Sequence, residues 1–445
     1  MFRCGDAKGS VVSSEVYDLV GIGFGPSNLA LAIAVDEHNR RTPGARLRTA
    51  FLEKQPTFGW HRGMLIDDAT MQVSFLKDLV TMRDPSSDFS FLCYLRDRGR
   101  LVDFINHKTM FPLRAEFHDY FEWAAARVAD QVHYDREVVS VRPVERDGEV
   151  VAFDVVASDG GAAVTYRARN VVVATGLRPR LPEDAMPSDR VWHNIELMHR
   201  LPELVAAAPR RVLVVGAGQS AAEAVAELHS ALPGTAVSAV FARYGYAPAD
   251  DSPFANRIFD PEAVDHFYGA PEEVKRSLLD YSRGTNYSVV DLDLIEELYR
   301  REYRERVSGE RRLDIRNASR VVYARETDEA VYATVEFLPT GETEVLECDA
   351  VVYATGFHHI DVFDLLGRAA ATCVRDADGR AVIGRDYRLA TAPGVRAGIY
   401  VQGGSEHSHG ITATLLSNTA VRVGEILDSV LAPEVAVVPE LAQAR

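Results

Sequence analysis

The stretch VYDLVGIGFGPSNLALAIA, residues 16–34, decides the fold. Its apolar beginning predicts a buried strand, and the apolar spacing at its end predicts a helix. Between them stands Gly21-x-Gly23-x-x-Pro26, the turn of a dinucleotide-binding βαβ unit. We expect Gly21 to permit the tight turn and Gly23 to leave room for a pyrophosphate at the amides of the helix N-terminus. Pro26 replaces the usual third glycine, which is tolerable because the first helical N–H groups have no partner in the helix.

An acid follows the next predicted strand, residues 47–52. The carboxylate of Glu53 can accept both hydroxyls of an adenosine ribose, which favours FAD or NAD as the cofactor of this turn. A glycine pattern alone could be an incidental turn. The acid at this position makes a dinucleotide site the better interpretation.

A second fingerprint follows another apolar run, residues 211–215. It contains Gly216-x-Gly218 and enters a second predicted helix. Gln219 and Ser220 stand at the beginning of this helix, where their side chains can donate hydrogen bonds to a phosphate or an amide. The chain therefore predicts two dinucleotide sites.

No acid ends the strand predicted after this second turn, residues 236–242; Arg243 stands there instead. An acid would repel a 2′-phosphate, whereas an arginine would pair with it, so this site favours NADP(H) over NAD(H). An ordinary surface position for Arg243 is the alternative.

The sequence Ala-Thr-Gly ends two apolar runs, at residues 174–176 and 354–356. These runs lie on either side of the second fingerprint, which suggests the two crossings between a flavin domain and a nicotinamide domain. Thr355 and Gly356 are accordingly candidate cofactor-binding residues. The pattern predicts an α/β fold with two Rossmann-like dinucleotide-binding domains, for FAD and NADPH, and a small helical substrate-binding insertion.

The domain boundaries follow from the same pattern. We assign residues 1–180 and 346–445 to a discontinuous FAD-binding domain and residues 181–345 to an NADPH-binding domain. Residues 250–310 interrupt the α/β alternation and form the predicted insertion, the usual way in which such a fold acquires a substrate site.

Composition excludes several classes of function. The 445 residues carry a formal net charge of -16, which would repel nucleic acid and anionic membrane surfaces. No apolar run approaches the roughly 18 residues of a membrane span, and no apolar signal-peptide core is present at the N-terminus, so we expect a cytoplasmic protein. The four cysteines are scattered, which argues against a metal site and against a disulfide framework.

Nine ordered motifs carry a resemblance to a known family. They are GFGPSNL, MQVSFLKDLVTMRDP, RLVDFINH, FPLRAEF, GAGQSAAE, DDSPFANRIFD, TNYSVVD, ATGF and HGITATLLSN. Together they resemble the microbial flavin-dependent N-hydroxylating monooxygenases of siderophore biosynthesis, and most nearly the L-ornithine N5-monooxygenases. The resemblance extends from about residue 16 to residue 427.

The resemblance implies a reaction. NADPH reduces FAD, O2 then forms a flavin hydroperoxide, and the side-chain amine of L-ornithine is hydroxylated for a siderophore or a related natural product. Hydroxylation of L-lysine at N6, or of a diamine such as putrescine or cadaverine, is the alternative. The resemblance also suggests a homo-oligomer, a dimer or a tetramer.

The resemblance further assigns roles by motif position. To FAD it assigns Ser27 of the first turn and Trp60, His61, Met71, Gln72, Arg114 and Leu415. To NADPH it assigns Gln219, Ser220 and Tyr287. To the substrate it assigns Lys77 and Asn256 at the α-carboxylate, Asn286 at an amino group, and Leu415 and Ser417 at the border with the flavin. Gln72, Arg114 and Asn286 are the expected catalytic residues.

Some features depart from the family pattern or leave an alternative open. Ala413 stands where members often have an acidic or hydroxyl residue, and Arg243 is displaced by one position from the expected arginine.

We expect Thr412 to cap a helix that extends to Leu427. From composition alone, Lys77 would be a solvated surface charge. A non-catalytic nucleotide-binding or redox-sensing module would require a damaged flavin site, and the first turn and its acid are intact.

Overall fold

The structure is a computed structural model that describes residues 11–286 and 288–432; the side chains of residues 11–14 and 282–286 are outside the description. Parallel strands and the helices that connect them dominate the chain. The strands are β1 Val11–Ile22, β2 Thr49–Leu52, β3 Val132–His133, β4 Glu137–Arg146, β5 Glu149–Asp159, β6 Ala162–Val173, β7 Leu177–Pro179, β8 Val191–His193, β9 Arg211–Val215, β10 Ala236–Val240, β11 Leu313–Arg316, β12 Ser319–Glu326, β13 Val331–Phe337, β14 Glu342–Cys348, β15 Ala350–Tyr353, β16 Phe357–His359 and β17 Gly398–Val401.

The helices lie on the faces of the sheets and in the segment between β10 and β11. They are α1 Pro26–Arg41, α2 Phe91–Asp97, α3 Leu101–His107, α4 Arg114–Arg127, α5 Leu197–Ala207, α6 Gln219–Ala231, α7 Pro261–Tyr268, α8 Glu272–Asn286, α9 Leu292–Ser308, α10 Val362–Leu366, α11 Glu406–His409 and α12 Thr419–Leu431.

The first sheet has the order β3-β2-β1-β6-β5-β4, and β17 pairs with β6 outside this path. Strands β1, β2, β3, β6 and β17 pair in parallel, whereas β4, β5 and β6 form an antiparallel meander. The register places Ile22 beside both Leu52 and Val173, and Val173 beside Val401. Four strands therefore end at one edge, which is where open α/β sheets bind their ligands.

The second sheet has the order β11-β10-β9-β15-β8, and all of its pairings are parallel. A three-stranded antiparallel sheet of β12, β13 and β14 packs against it through a shared apolar cluster. The predicted α/β fold with Rossmann-type sheets is thus confirmed. Helices α7, α8 and α9 lie within the segment predicted as a helical insertion.

One sheet assignment differs from the predicted boundary at residue 346. Strand β15 pairs with β8 and β9, so residues 350–353 belong to the second sheet and not to the first. The reason is the single residue Asp349 that separates β15 from β14, which leaves no room to cross to the other sheet. The chain returns from the second sheet to the first after Tyr353. There β16 pairs antiparallel with β7, which lies on the segment that leads from the first sheet to the second. The domain division itself stays a prediction.

The predicted start of the C-terminal helix, at Thr412, is wrong. Short 3-10 turns occupy residues 411–414 and 416–418, and α12 begins at Thr419. Leu415 is extended, with φ -98° and ψ 155°, which interrupts any helix at this point. The buried guanidinium of Arg422 donates hydrogen bonds to the carbonyl oxygens of Thr412 and Ala413 in this segment.

Candidate active site

The first glycine turn joins β1 to α1 at the edge where the parallel strands end. Gly23 has φ +84°, and a Cβ atom at this position would lie 2.5 Å from the carbonyl oxygen of Ala174. The protein's own packing therefore requires a glycine here. A Cβ atom at Gly25 would meet nothing within 4 Å, so the open approach to the N-terminus of α1 lies at Gly25. Pro26 takes the first helical position, as expected.

Glu53 lies directly after β2, and its side chain is only 7% exposed. Its Oε2 atom accepts a hydrogen bond of 2.7 Å from the amide of Phe24, and its Oε1 atom accepts one of 2.9 Å from the amide of Gln55. These bonds fix the carboxylate beside the first turn. Each oxygen keeps a further lone pair, so the group can also accept ribose hydroxyls.

Two buried amides below this turn were not expected from the sequence. The Asn28 Nδ2 atom donates to the carbonyl oxygen of Gly23 at 2.7 Å, and the Gln402 Nε2 atom donates to Asn28 Oδ1 at 3.0 Å. Gln402 also donates to the carbonyl oxygen of Ser27 at 3.3 Å. These bonds join the turn to the end of β17, and so fix the shape of the candidate FAD site.

The second glycine turn joins β9 to α6 at the corresponding edge of the second sheet. Gly216 has φ +148°, and a Cβ atom there would lie 2.3 Å from the carbonyl oxygen of Ala354. Gly218 caps α6, and the closest atom to its missing Cβ is Ser288 Cα at 3.4 Å. Gln219 and Ser220 are the first two residues of α6, so their amides belong to its N-terminus.

A polar network joins the second glycine turn to Gln72 and to the beginning of α4. The Arg114 guanidinium donates from Nη1 to Glu223 Oε2 at 2.9 Å and from Nη2 to Glu223 Oε1 at 2.7 Å. Gln219 Nε2 donates to Glu223 Oε1 at 3.0 Å and to Asp291 Oδ2 at 3.1 Å. Gln72 Nε2 donates to the same Asp291 oxygen at 2.6 Å. Residues from both sheets and from the insertion thus meet at one point.

Asp291 and Glu223 are the members of this network that sequence reasoning missed. Burial raises the pKa of Asp291, the nearby charge of Glu223 adds to the increase, and the hydrogen bonds from Gln72 and Gln219 oppose it. Glu223 lies one turn along α6 from the predicted Gln219, which is the signal that could have identified it.

Trp60, which follows β2, packs against the apolar cluster that contains Phe24 of the first turn. The rings of Trp60 and His61 are 4.6 Å apart and nearly perpendicular, and Trp60 also contacts Phe121 at 5.2 Å. Met71 is buried, and its amide donates to the carbonyl oxygen of Pro112 at 2.8 Å. Gln72, the next residue, is exposed.

The residues expected to bind the substrate carboxylate lie on separate segments. The Lys77 ammonium stands 5.6 Å from the centre of the Phe259 ring. Burial lowers the pKa of Lys77, and the charge of Asp260 opposes that change. The Asn256 amide nitrogen donates to the carbonyl oxygen of Asp251 at 2.7 Å. Lys77 thus contacts the 3-10 turn Ala255–Phe259, which contains Asn256.

The C-terminal segment brings Leu415 and Ser417 to the same region. Residues 411–414 contact the turn that contains Asn256. Ser417 is buried, whereas Leu415 is partly exposed and its carbonyl oxygen accepts a hydrogen bond of 3.2 Å from the Thr419 hydroxyl. Tyr287 and the side chain of Asn286 lie outside the described residues.

The remaining cofactor candidates lie at the second sheet and at the crossing. Arg243 is exposed, and its Nη1 atom donates to the carbonyl oxygen of Ser288 at 2.6 Å. The Thr355 hydroxyl donates to the carbonyl oxygen of Arg180. The Gly356 carbonyl oxygen accepts from the Arg180 amide at 2.9 Å, with His193 Nε2 also at 2.9 Å. Thr355 and Gly356 therefore connect the two crossings.

The two turns meet the chemical requirements of dinucleotide sites. Each offers free amides at a helix N-terminus, where a phosphate is favoured, and the first adds a carboxylate at the ribose position. Within residues 11–286 and 288–432, no group of His, Cys, Asp and Glu side chains is arranged to hold a metal ion. No helix of this part of the chain is long and apolar enough to cross a bilayer.

Comparison with known proteins gives consistent matches. The model of a family described as L-lysine 6-monooxygenase/L-ornithine 5-monooxygenase matches residues 15–359. The L-ornithine N(5)-monooxygenase of Burkholderia cepacia is 42% identical over 403 residues, which cover 89% of this chain and 90% of the relative.

Solved structures match over nearly the whole chain. A Kutzneria sp. 744 ornithine N-hydroxylase with reduced FAD, NADP+ and L-ornithine has a TM-score of 0.90 and 46% identity, and the match covers 94% of this chain and 99% of the other. An L-lysine 6-monooxygenase from Pseudomonas syringae has a TM-score of 0.81 and 32% identity, over 93% of this chain and 99% of the other.

Proposed function

Because the chain belongs to the L-lysine 6-monooxygenase/L-ornithine 5-monooxygenase family, we propose that it hydroxylates the side-chain amine of L-ornithine. The product is N5-hydroxyornithine, for a siderophore or a related natural product. The observation that carries the proposal is the likeness, over almost the full chain, to the Kutzneria ornithine N-hydroxylase with FAD, NADP+ and L-ornithine. The enzyme is an NADPH-dependent flavin N-monooxygenase.

FAD binds at the first glycine turn in this proposal. Gly21, Gly23, Pro26 and Ser27 form the turn, and Glu53 accepts the ribose hydroxyls. Trp60, His61 and Met71 lie along the cofactor. Gln72, Arg114 and Leu415 lie beside its flavin ring. When bound, FAD supplies the oxidising chemistry, with electrons from NADPH and an oxygen atom from O2.

NADPH binds at the second glycine turn. Gly216 and Gly218 allow the pyrophosphate to approach α6, and Gln219 and Ser220 donate hydrogen bonds to it. Arg243 pairs with the 2′-phosphate once it exchanges its contact with the Ser288 carbonyl. Tyr287, Thr355 and Gly356 complete the NADPH side of the site.

The substrate is held at its α-carboxylate by Lys77 and Asn256. An ammonium and an amide together satisfy a carboxylate, and the opposite amine is left to face the flavin. That amine must be neutral to act as a nucleophile, although a free alkylamine has a pKa of about 10.4. Exclusion of water by Leu415 and Ser417 lowers this pKa, because burial disfavours the charged form. Asn286 binds an amino group.

The carboxylate contact also explains the choice of substrate. A diamine has no carboxylate, so its second ammonium would meet the like charge of Lys77. L-Lysine differs from L-ornithine by one methylene, which is worth only about 1–3 kcal/mol in a pocket. We therefore expect clear rejection of diamines and weaker rejection of lysine. The homo-oligomeric state, as a dimer or a tetramer, and the cytoplasmic location stay predictions.

The test is a comparison of four amines with purified, FAD-loaded protein and NADPH. We expect kcat/KM for hydroxylated product to be highest with L-ornithine, lower with L-lysine, and lowest with putrescine and cadaverine. Preference for a diamine would refute the role of Lys77, and the absence of hydroxylated product with all four amines would refute the proposed reaction.

A further inference from the structure

Arg422 is a fully buried arginine beside the first glycine turn. It lies on α12, its exposed fraction is 2%, and it shares the buried face of this helix with Ala420, Val423 and Ile426. A guanidinium on an apolar helix face is costly, because arginine is charged at any ordinary pH. Burial lowers the pKa of Arg422, and the nearby Tyr387 and Glu425 oppose that change.

Among the residues that the structure describes, the hydrogen-bond acceptors around this guanidinium are all neutral. They are Gln402 Oε1 at 3.4 Å from Nε, the carbonyl oxygens of Thr412 at 3.3 Å and Ala413 at 3.0 Å from Nη1, and the hydroxyls of Ser27 at 3.4 Å and Thr419 at 3.0 Å from Nη2. Within the described ranges, no carboxylate oxygen forms an ion pair with Arg422 within 4 Å. The acid one turn along α12, Glu425, is already bound by both Nη atoms of Arg385, at 2.9 and 2.8 Å.

A buried charge of this kind requires an opposite charge, because hydrogen bonds to neutral groups do not restore what water provided. The geometry indicates where that charge would come from. The guanidinium contacts Ser27, the second residue of α1, at the helix N-terminus that opens at Gly25. An anion at this N-terminus would feel the helix dipole and the Arg422 charge together.

We propose that Arg422 provides the buried positive charge that the FAD diphosphate neutralises. The guanidinium is buried and contacts Ser27, so its charge acts on the diphosphate across the beginning of α1. This inference rests on the proposed FAD site. Arg422 is a positioning residue: it acts through Ser27 and the beginning of α1, and it fixes the carbonyl groups of residues 412 and 413.

The test separates charge from packing with three variants in the full-length protein. Arg422→Gln removes the charge and keeps some hydrogen bonds, and Arg422→Lys keeps the charge and loses most hydrogen bonds. Thr419→Val removes one bond of the guanidinium and the bond from the Thr419 hydroxyl to the Leu415 carbonyl oxygen, without changing charge. The measurement is the dissociation constant of FAD from the apoprotein, followed by flavin fluorescence.

We expect Arg422→Gln to bind FAD about tenfold to a hundredfold more weakly, whereas Arg422→Lys and Thr419→Val stay within about threefold of the parent protein. A purely structural role predicts the opposite order, because lysine loses more hydrogen bonds than glutamine. Inorganic pyrophosphate gives a second measurement without the flavin ring. It should raise the Tm of the parent apoprotein and of Arg422→Lys, and leave that of Arg422→Gln unchanged.

Equal loss of FAD affinity in Arg422→Gln and Arg422→Lys would overturn the inference, as would unchanged affinity in both. Should Arg422→Gln not fold, a loss beyond about tenfold in Arg422→Lys would overturn it alone. Failure of the parent protein to bind FAD would instead refute the proposed function, so the two failures are distinguishable.

Discussion

Replacement of Glu223 by glutamine should weaken the link between α6, at the second glycine turn, and the beginning of α4. Glu223 lies on α6 and forms a two-bond ion pair with Arg114 at the beginning of α4, so this pair joins the second sheet to the FAD side of the first. The exposed fractions of the two side chains are 12% for Arg114 and 6% for Glu223. A buried ion pair depends on both partners, because the remaining charge is stranded when one is removed.

The magnitude follows from this burial. Breaking a buried pair costs about 3–5 kcal/mol, and the amide oxygen of glutamine can still accept one hydrogen bond, so we expect a loss of about 2–4 kcal/mol. For a unit of roughly 200 residues, such as one sheet with its helices, this corresponds to a fall in Tm of about 5–10 °C.

The assay is thermal unfolding of the apoprotein, with Glu227→Gln as the matched control. Glu227 lies one turn further along α6, and burial raises the pKa of its carboxyl, so neutralising it should cost little or nothing. A double-mutant cycle with Arg114→Met should give a coupling energy of about 2 kcal/mol or more. A Tm for Glu223→Gln within about 1 °C of the parent protein would show that the Arg114–Glu223 pair does not stabilise the fold.

Three further changes test separate parts of the account. Lys77→Met should raise the KM for L-ornithine about 30-fold to 300-fold, because ornithine loses a charge partner, and lower that for putrescine, whose second ammonium no longer meets a like charge; a rise for both would remove Lys77 from the carboxylate site. Gly216→Ala should raise the KM for NADPH at least about tenfold with normal FAD content, because its Cβ would stand 2.3 Å from the Ala354 carbonyl oxygen; loss of FAD instead would mean that the two turns are assigned in reverse. His409 has its pKa lowered by burial to about 4, so stability should fall by about 3 kcal/mol as pH drops from 6.5 to 4, where the unfolded chain binds the extra proton. His409→Gln should flatten this acid limb of the Tm profile, and an unchanged limb would contradict the cause given.

The fold was predictable where the sequence pattern is local. Both glycine turns, the strands before them and the helices after them follow from spacing within about 20 residues, and the structure has them. The sheet assignment after residue 346 differs from the prediction because β15 follows β14 after a single residue and pairs with β9, a strand more than 130 residues earlier. The predicted start of the C-terminal helix was wrong because the Arg422 guanidinium, ten residues later, donates a hydrogen bond to the Thr412 carbonyl oxygen.

The polar networks were largely beyond sequence reasoning. Gln72 and Asp291 are 219 residues apart, and Gln402 and Asn28 are 374 apart, so no local pattern connects either pair. A signal did exist for Arg422, since a single charge on the otherwise apolar face of a predicted helix requires a partner.

The most direct test of the central claim follows the oxygen atom. Purified, FAD-loaded protein with NADPH and L-ornithine is allowed to react under isotopically heavy oxygen gas in ordinary water, and the product is analysed by mass spectrometry. We predict one heavy oxygen atom on the side-chain nitrogen and one molecule of product for each NADPH oxidised. Product without the heavy atom, or NADPH oxidation that yields only hydrogen peroxide, would contradict it.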